Sequence, residues 1–359
     1  MAITDLENTE AWLKVQPREV QAVFAARCAL RGLPAIRRAN DRTVRQIALP
    51  LLRAILSSGV AGTCPTPEVI RSAAAAAANS YTRSGSASAT YATRSASSAA
   101  RLIGFDAAAS AFFATRFAAS DAAASQVLCA TDYDAAAISN VDGDPASVFL
   151  TPLWPGGAFP KKLARLYDKL RAFWQKDASV WDFWQTWYED MLAGRPVDWD
   201  FLRQVVLLPD EDWKRGAAHI ARLIEKLRAK RDLQGSIEDL EQDLTGTASS
   251  RLGLGGNNPP EPLDQDSQLP AGLLIVWAPL QELKEEAEKQ APDPARLRKA
   301  TDALILALAE IATWCRRKLD RATDKAIDWG VPAGLGYLVL HQDKIRAVIE
   351  AAEAFLKLP

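Results

Sequence analysis

Apolar residues along this chain recur at helical spacing and almost nowhere alternate. In P-R-E-V-Q-A-V-F-A-A-R-C-A-L-R, Val20, Val23, Phe24 and Leu30 return every third or fourth position. That period predicts a helix opened by Pro17, whose missing N–H costs nothing in a first turn, and stopped by Gly32 and Pro34. It turns Arg18 and Arg31 toward water. Similar patterns predict a short helix over 6–14 and another over 42–57, kinked at Pro50. Larger side chains follow the same period over 161–174 (Leu163, Leu166, Tyr167, Leu170, Trp174) and over 212–230, where His219, Leu223 and Leu227 share a face. Toward the C-terminus, helices are expected over 273–290, from 294 to about 326, and through the last residues. No convincing strand pattern occurs, so the expected fold class is all-α.

Between Pro67 and Ser139 the periodic signal gives way to alanine and serine, as in RSAAAAAANS and SASATYATRSASSAA. Alanine is the strongest helix former and takes little volume, so closely packed helices are expected here. Phe105, Phe112, Phe113, Phe117, Val127 and Leu128 anchor them, while Arg94, Arg101, Asp106, Arg116 and Asp121 exclude a membrane span. The turn-rich NVDGDPASVF over 140–149 lacks the remainder of a calcium-loop pattern and reads as a loop.

The densest aromatic run is S-V-W-D-F-W-Q-T-W-Y-E-D, residues 179–190. Ser179 and Asp182 stand at capping-box spacing, and Gly194 before Pro196 is a C-terminal stop. At about 100° per residue, Trp181, Trp184, Tyr188 and Met191 share one face, Trp187 sits at its edge, and Phe183 points away. Three uses of this stretch remain open: a domain core, a partner surface, since Trp and Tyr make binding hot spots, and a platform on which a sugar or base stacks. On the second reading the contact residues are Phe183, Trp187, Trp199 and Trp213. Glu189 and Asp190 are adjacent and splay apart, which does not make a facing acid pair.

Gly, Asn and Pro concentrate in LGLGGNNPPEPLDQDSQLP, so residues 236–270 read as a linker. The chain then divides into an Ala-rich helical domain over 1–150, a Trp-rich helical domain over 151–235, the linker, and a C-terminal helical hairpin or bundle over 271–359. In that last part, TDALILALAEIATWCRRKLDR joins an apolar run to a basic one, and WGVPAGLGYLVL follows. Trp314, Arg316, Arg317, Leu335 and Tyr337 are the candidate membrane or partner contacts there. Neither run alone is long and apolar enough to span a bilayer.

Composition narrows the function classes. Lys+Arg 43 against Asp+Glu 44 gives a net charge of -1, which removes an electrostatic case for nucleic acid. Cys28, Cys64, Cys129 and Cys315 are far apart, as expected of thiols in a reducing cytoplasm rather than of a zinc or disulfide framework. The only histidines, His219 and His341, lie outside any metal-binding spacing. Phosphate-loop, dinucleotide and nucleophile-elbow motifs are missing, so no catalytic residue, metal or cofactor is assigned.

The segments PLWPGGAFP, WDFWQTWYEDMLAGRPVDWDFL and LPDEDWKRGAAHI, with GGNNPPEP downstream and the AWLKVQPREVQAVFAARCALRGLP opening, resemble a group of uncharacterised α-proteobacterial proteins. Similar proteins often carry His where this chain has Gly256. The resemblance covers about the first two thirds of the chain. It implies no activity, but it does imply a modular body with variable ends. The expectation is a non-enzymatic, cytoplasmic bacterial scaffold or adaptor that binds a protein partner or itself. The alternative is a membrane-perturbing effector acting through the C-terminal helices.

Overall fold

A computed structural model describes residues 5–81, 124–140, 144–157, 159–251, 271–289, 291–321 and 341–358. Among these residues every regular element is helical and no strand occurs, so the fold is all-α. The chain forms two compact units, Met1–Ile224 and Glu225–Pro359. The Ala-rich and Trp-rich segments, separate domains on the sequence reading, thus belong to one unit.

In the first unit, α1 (Leu6–Lys14) begins at Asp5, whose Oδ1 accepts the Asn8 backbone N–H at 2.8 Å. The central helix is α2 (Arg18–Gly32), buried almost all round from Val20 onward because alanines line the sides that larger residues leave. Arg31, expected toward water, is fully buried within it.

Helix α3 (Asp41–Thr63) starts at Asn40, whose side chain accepts the Thr43 N–H, and it runs through Pro50. Where it crosses α2 the backbones nearly touch: a Cβ on Gly62 would fall 2.6 Å from Val23 Cγ2 and 2.9 Å from Val23 N. By length and hydropathy α3 could cross a membrane, yet 83% of its apolar window is buried inside the unit. It is a core helix. α4 (Pro67–Tyr81) packs on α3, and α5 (Ala124–Asn140) packs on α2. The expected anchors Phe105, Phe112, Phe113 and Phe117 lie outside the described residues.

A 3-10 turn over Pro145–Leu150, opened by the Asp144 side chain, replaces part of the expected 140–149 loop. The Trp-rich part follows as α6 (Lys161–Gln175), α7 (Ala178–Ala193), α8 (Trp199–Val206) and α9 (Asp210–Lys214). Helix α7 has no capping box: its N-cap is Asp177, which makes no side-chain cap bond, and Ser179 Oγ donates to Asp177 Oδ1 at 3.0 Å. Its C-terminal stop at Gly194 is as expected, with φ 67° and the Arg195 N–H donating to Asp190 O at 3.0 Å.

Helix α10 (Ala217–Arg251) carries the boundary between the units and continues well past residue 236, where the sequence placed a linker. Of that linker, residues 252–270 lie outside the described residues. The second unit is completed by α11 (Ala271–Glu288), α12 (Pro294–Arg321) and α13 (Gln342–Lys357).

Its core is built from four strips spaced alternately three and four residues apart: Leu233, Ile237, Leu240 and Leu244 on α10, and Val276, Leu280, Leu283 and Ala287 on α11. Leu297, Ala300, Leu304, Ala307 and Ile311 continue the core on α12, and Ile345, Val348, Ala352 and Phe355 on α13. That spacing keeps one narrow apolar seam per helix facing inward, the pattern of a helical bundle. Polar contacts set the order. Gln234 donates to Ala287 O at 3.1 Å and Gln281 to Glu241 Oε1 at 3.1 Å, so α10 and α11 are antiparallel. Lys226 stacks over Phe355 while His341 meets Asp243, so α13 lies antiparallel on α10 as well. The α11–α12 and α12–α13 packings close the ring.

Candidate functional site

Trp181, Trp184, Tyr188 and Met191 are buried, as the helical spacing predicts. Phe183, expected to point away, is buried too: it packs edge-on to Trp184 at 4.9 Å and to Phe201 of α8 at 6.2 Å. Trp187 stacks edge-on to Trp184 at 5.9 Å. Trp213 is covered by the Arg53 guanidinium, 4.7 Å above its ring, and its Nε1 donates to Leu208 O at 3.1 Å. Trp199 is half-buried against Phe149 at 4.9 Å. A second neighbour, α8, accounts for the rings on the far side of α7. The ring edges Trp184 Nε1, Trp187 Nε1 and Tyr188 OH are enclosed and meet no acceptor among the described residues, so ring packing holds this cluster together.

The same unit encloses an ionic knot that the sequence reading missed. Arg27 and Arg31, one turn apart on α2, both reach Asp134 of α5, at 2.9 and 2.7 Å. Arg27 also donates to Val148 O at 2.8 Å, Thr151 O at 3.1 Å and Pro152 O at 3.0 Å, and Arg31 Nε to Leu153 O at 2.9 Å. These carbonyls lie on the strap leading to the Trp-rich helices. Burial pushes the Arg27 pKa down against the pull of Asp134. The knot fastens the strap to α2 and α5.

Each histidine has a carboxylate beside it, which the sequence did not show. His219 Nε2 is 2.8 Å from Asp212 Oδ1 in the first unit, and His341 Nδ1 is 3.1 Å from Asp243 Oδ2 in the second. Among the described residues no cluster of three His, Cys, Asp or Glu side chains is arranged to hold a metal ion.

The exposed large apolar side chains of the second unit, among the described residues, lie on the outer side of α12. The buried strip from Leu297 to Ile311 faces the core. Opposite it, Leu306 is 67% exposed and Ile305 40%, with Ala309 also exposed. Leu306 lies within the TDALILALAE run singled out from the sequence. The side chains of Trp314, Arg316 and Arg317, and all of Leu335 and Tyr337, lie outside what the structure describes. The signal for Leu306 was present but faint: it is an apolar residue outside the three–four strip.

Toward the α11–α12 turn the same face carries a charged groove of about 380 Å³, lined by Glu282, Glu285, Glu286 and Lys289 on α11 and by Arg296 and Lys299 on α12. Glu286 is buried and committed to the turn, with Oε1 accepting the Asp293 N–H at 2.7 Å and Oε2 the Lys289 ammonium at 2.5 Å. Those donors hold its carboxyl below the usual carboxylate range, Lys289 first. Glu282, Glu285 and Lys299 make no ion pair among the described residues.

No family model, no curated protein and no solved structure matches the chain.

Proposed function

We propose that the chain is a protein–protein interaction scaffold or adaptor, and that the outer face of α12 is its contact surface. The observation that supports this reading is the 67% exposure of Leu306 on a helix whose opposite strip is fully packed. Burying one such leucine contributes roughly 1.5–3 kcal/mol, enough to anchor a helix laid along the face. The aromatic run, the rival surface, is withdrawn into the first unit.

A photo-cross-linking residue at position 306, with the more exposed position 343 as a control, tests this in the cell. The expected result is a protein adduct of defined mass from 306 and none from 343. Adducts at the level of the control, or adducts to lipid alone, would overturn the reading. The lipid outcome would move the assignment to a membrane-perturbing effector.

A further inference from the structure

We propose that this face binds the same face of a second copy of the chain, about a two-fold axis running along the groove between α11 and α12. The inference rests on the interaction reading above and names its partner. A two-fold interface must be complementary to itself, so whatever one half presents, the other half must match. The groove meets that condition. Its α11 side presents Glu282 and Glu285, its α12 side Arg296 and Lys299; Glu282, Glu285 and Lys299 make no ion pair among the described residues, and Arg296 has only the longer pairs with Glu286 and Asp293. Among the described residues the carboxylates nearest Arg296 are 3.9 Å away.

The charges also select the axis. An axis lying in the face across the helices would set α11 on α11, with glutamates against glutamates. An axis along the groove sets α11 of one copy on α12 of the other and leaves every residue at its own height. Heights follow from the hairpin: Glu286 and Arg296 lie 3.9 Å apart, and in antiparallel helices each step from 286 toward 282 is matched by one from 296 toward 300. Glu285 then faces Arg296 of the second copy, and Glu282 faces its Lys299.

The same geometry matches the apolar end of the face. Leu306 reaches the height of residue 276, between the half-buried Ile275 and the exposed Ala278 of the second copy. One symmetry operation therefore places acid on base near the turn and apolar on apolar farther along. Asp302, exposed between Lys299 and Leu306, is the acid in the α12 column that this pairing sets near Glu282 of the second copy.

Light scattering and sedimentation of the full chain test the proposal. The expected result is a dimer that weakens with added salt. Lys299→Glu sets two like-charge contacts into the dimer, and so does Glu282→Lys; each weakens it about tenfold or more. An equimolar mixture of the two variants restores it, because both contacts in the mixed dimer are again of opposite sign. Asp302→Lys strengthens it. Far-UV circular dichroism confirms that each variant is folded, and Arg296→Glu with Glu285→Lys repeats the exchange if either is not.

A wild-type chain that stays monomeric up to about 100 μM, or a mixture that stays monomeric, would overturn self-association. A monomer that still gives a defined protein adduct from position 306 in the cell would retain the interaction reading and remove only the second copy as its partner.

Discussion

Arg27 and Asp134 meet at 2.9 Å with 1% and 0% of their side chains exposed, and Arg31 closes on the second carboxylate oxygen at 2.7 Å. One carboxylate thus serves two enclosed guanidinium groups. The excess charge is held by main-chain carbonyls from Ala130 and from the 148–153 strap. A buried ion pair is weak as a source of net stability, but removing one partner strands the other.

Asp134→Ala is therefore expected to cost about 3–5 kcal/mol and to loosen the strap along with the helices it leads to. Urea denaturation followed by tryptophan fluorescence measures the loss. A cost near zero would mean that the carbonyls alone satisfy both arginines.

Two glycines with nearly the same backbone separate strain from collision. Gly156 (φ 66°) has open space where a Cβ would go, whereas at Gly194 (φ 67°) a Cβ would fall 2.5 Å from the carbonyl carbon of Thr151. Gly156→Ala is expected to cost about 1–2 kcal/mol, the left-handed penalty alone. Gly194→Ala costs more, because the strap's backbone must also move. Thermal unfolding of the two variants side by side gives the difference, and equal costs would show that the strap yields freely.

Phe183→Ala is expected to destabilise the first unit by about 3–5 kcal/mol, comparable with Trp184→Ala. Phe183 fills the space between Trp184 and Phe201, so truncation leaves a cavity. Trp199→Ala costs less because that ring is already half in water. A Phe183→Ala protein of wild-type stability would return Phe183 to the surface.

Lys344 and His341 converge on Asp243, and the Lys344 hydrogen bond is the largest cause holding its carboxyl below the ordinary carboxylate pKa of 3.8. A depressed carboxylate stabilises the fold fully above its unfolded pKa. That contribution disappears as the pH falls through the folded value, where both states are protonated. The second unit should accordingly lose stability as the pH drops below about 4, and Asp243→Asn should flatten that acid limb. Denaturation midpoints measured from pH 6 to 2 check this. An unchanged limb in the variant would assign the acid sensitivity to other carboxylates.

Leu304 and Leu306, two residues apart on α12, face opposite surroundings: the first is fully buried in the bundle and the second is 67% exposed. Leu304→Ala should cost about 2–5 kcal/mol, while Leu306→Ala, measured at concentrations where the chain is monomeric, should change stability by less than about 0.5 kcal/mol. Chemical denaturation of the second unit distinguishes them. A large cost at Leu306 would mean that the face is covered within the chain.

What the sequence by itself determined was the class of fold and most helix positions. Period alone located α1, α2, α6, the Trp-rich helix and its Gly194 stop, because apolar spacing and a left-handed glycine are local properties of the chain. The continuation of α10 to Arg251 was hidden by Gly235, Ser236 and Gly246, whose low helix propensity is outweighed by the seam from Leu233 to Leu244. Only the tertiary structure decided which side of a helix meets water. Phe183 turned inward because α8 supplied a second wall, and Arg31 was buried because Asp134, far along the chain, arrived beside it. Leu306 stayed outside because the seams of α10, α11 and α13 close on the other side of α12. Periodicity records that a face is apolar, but what covers that face depends on contacts between distant segments, which no local pattern encodes.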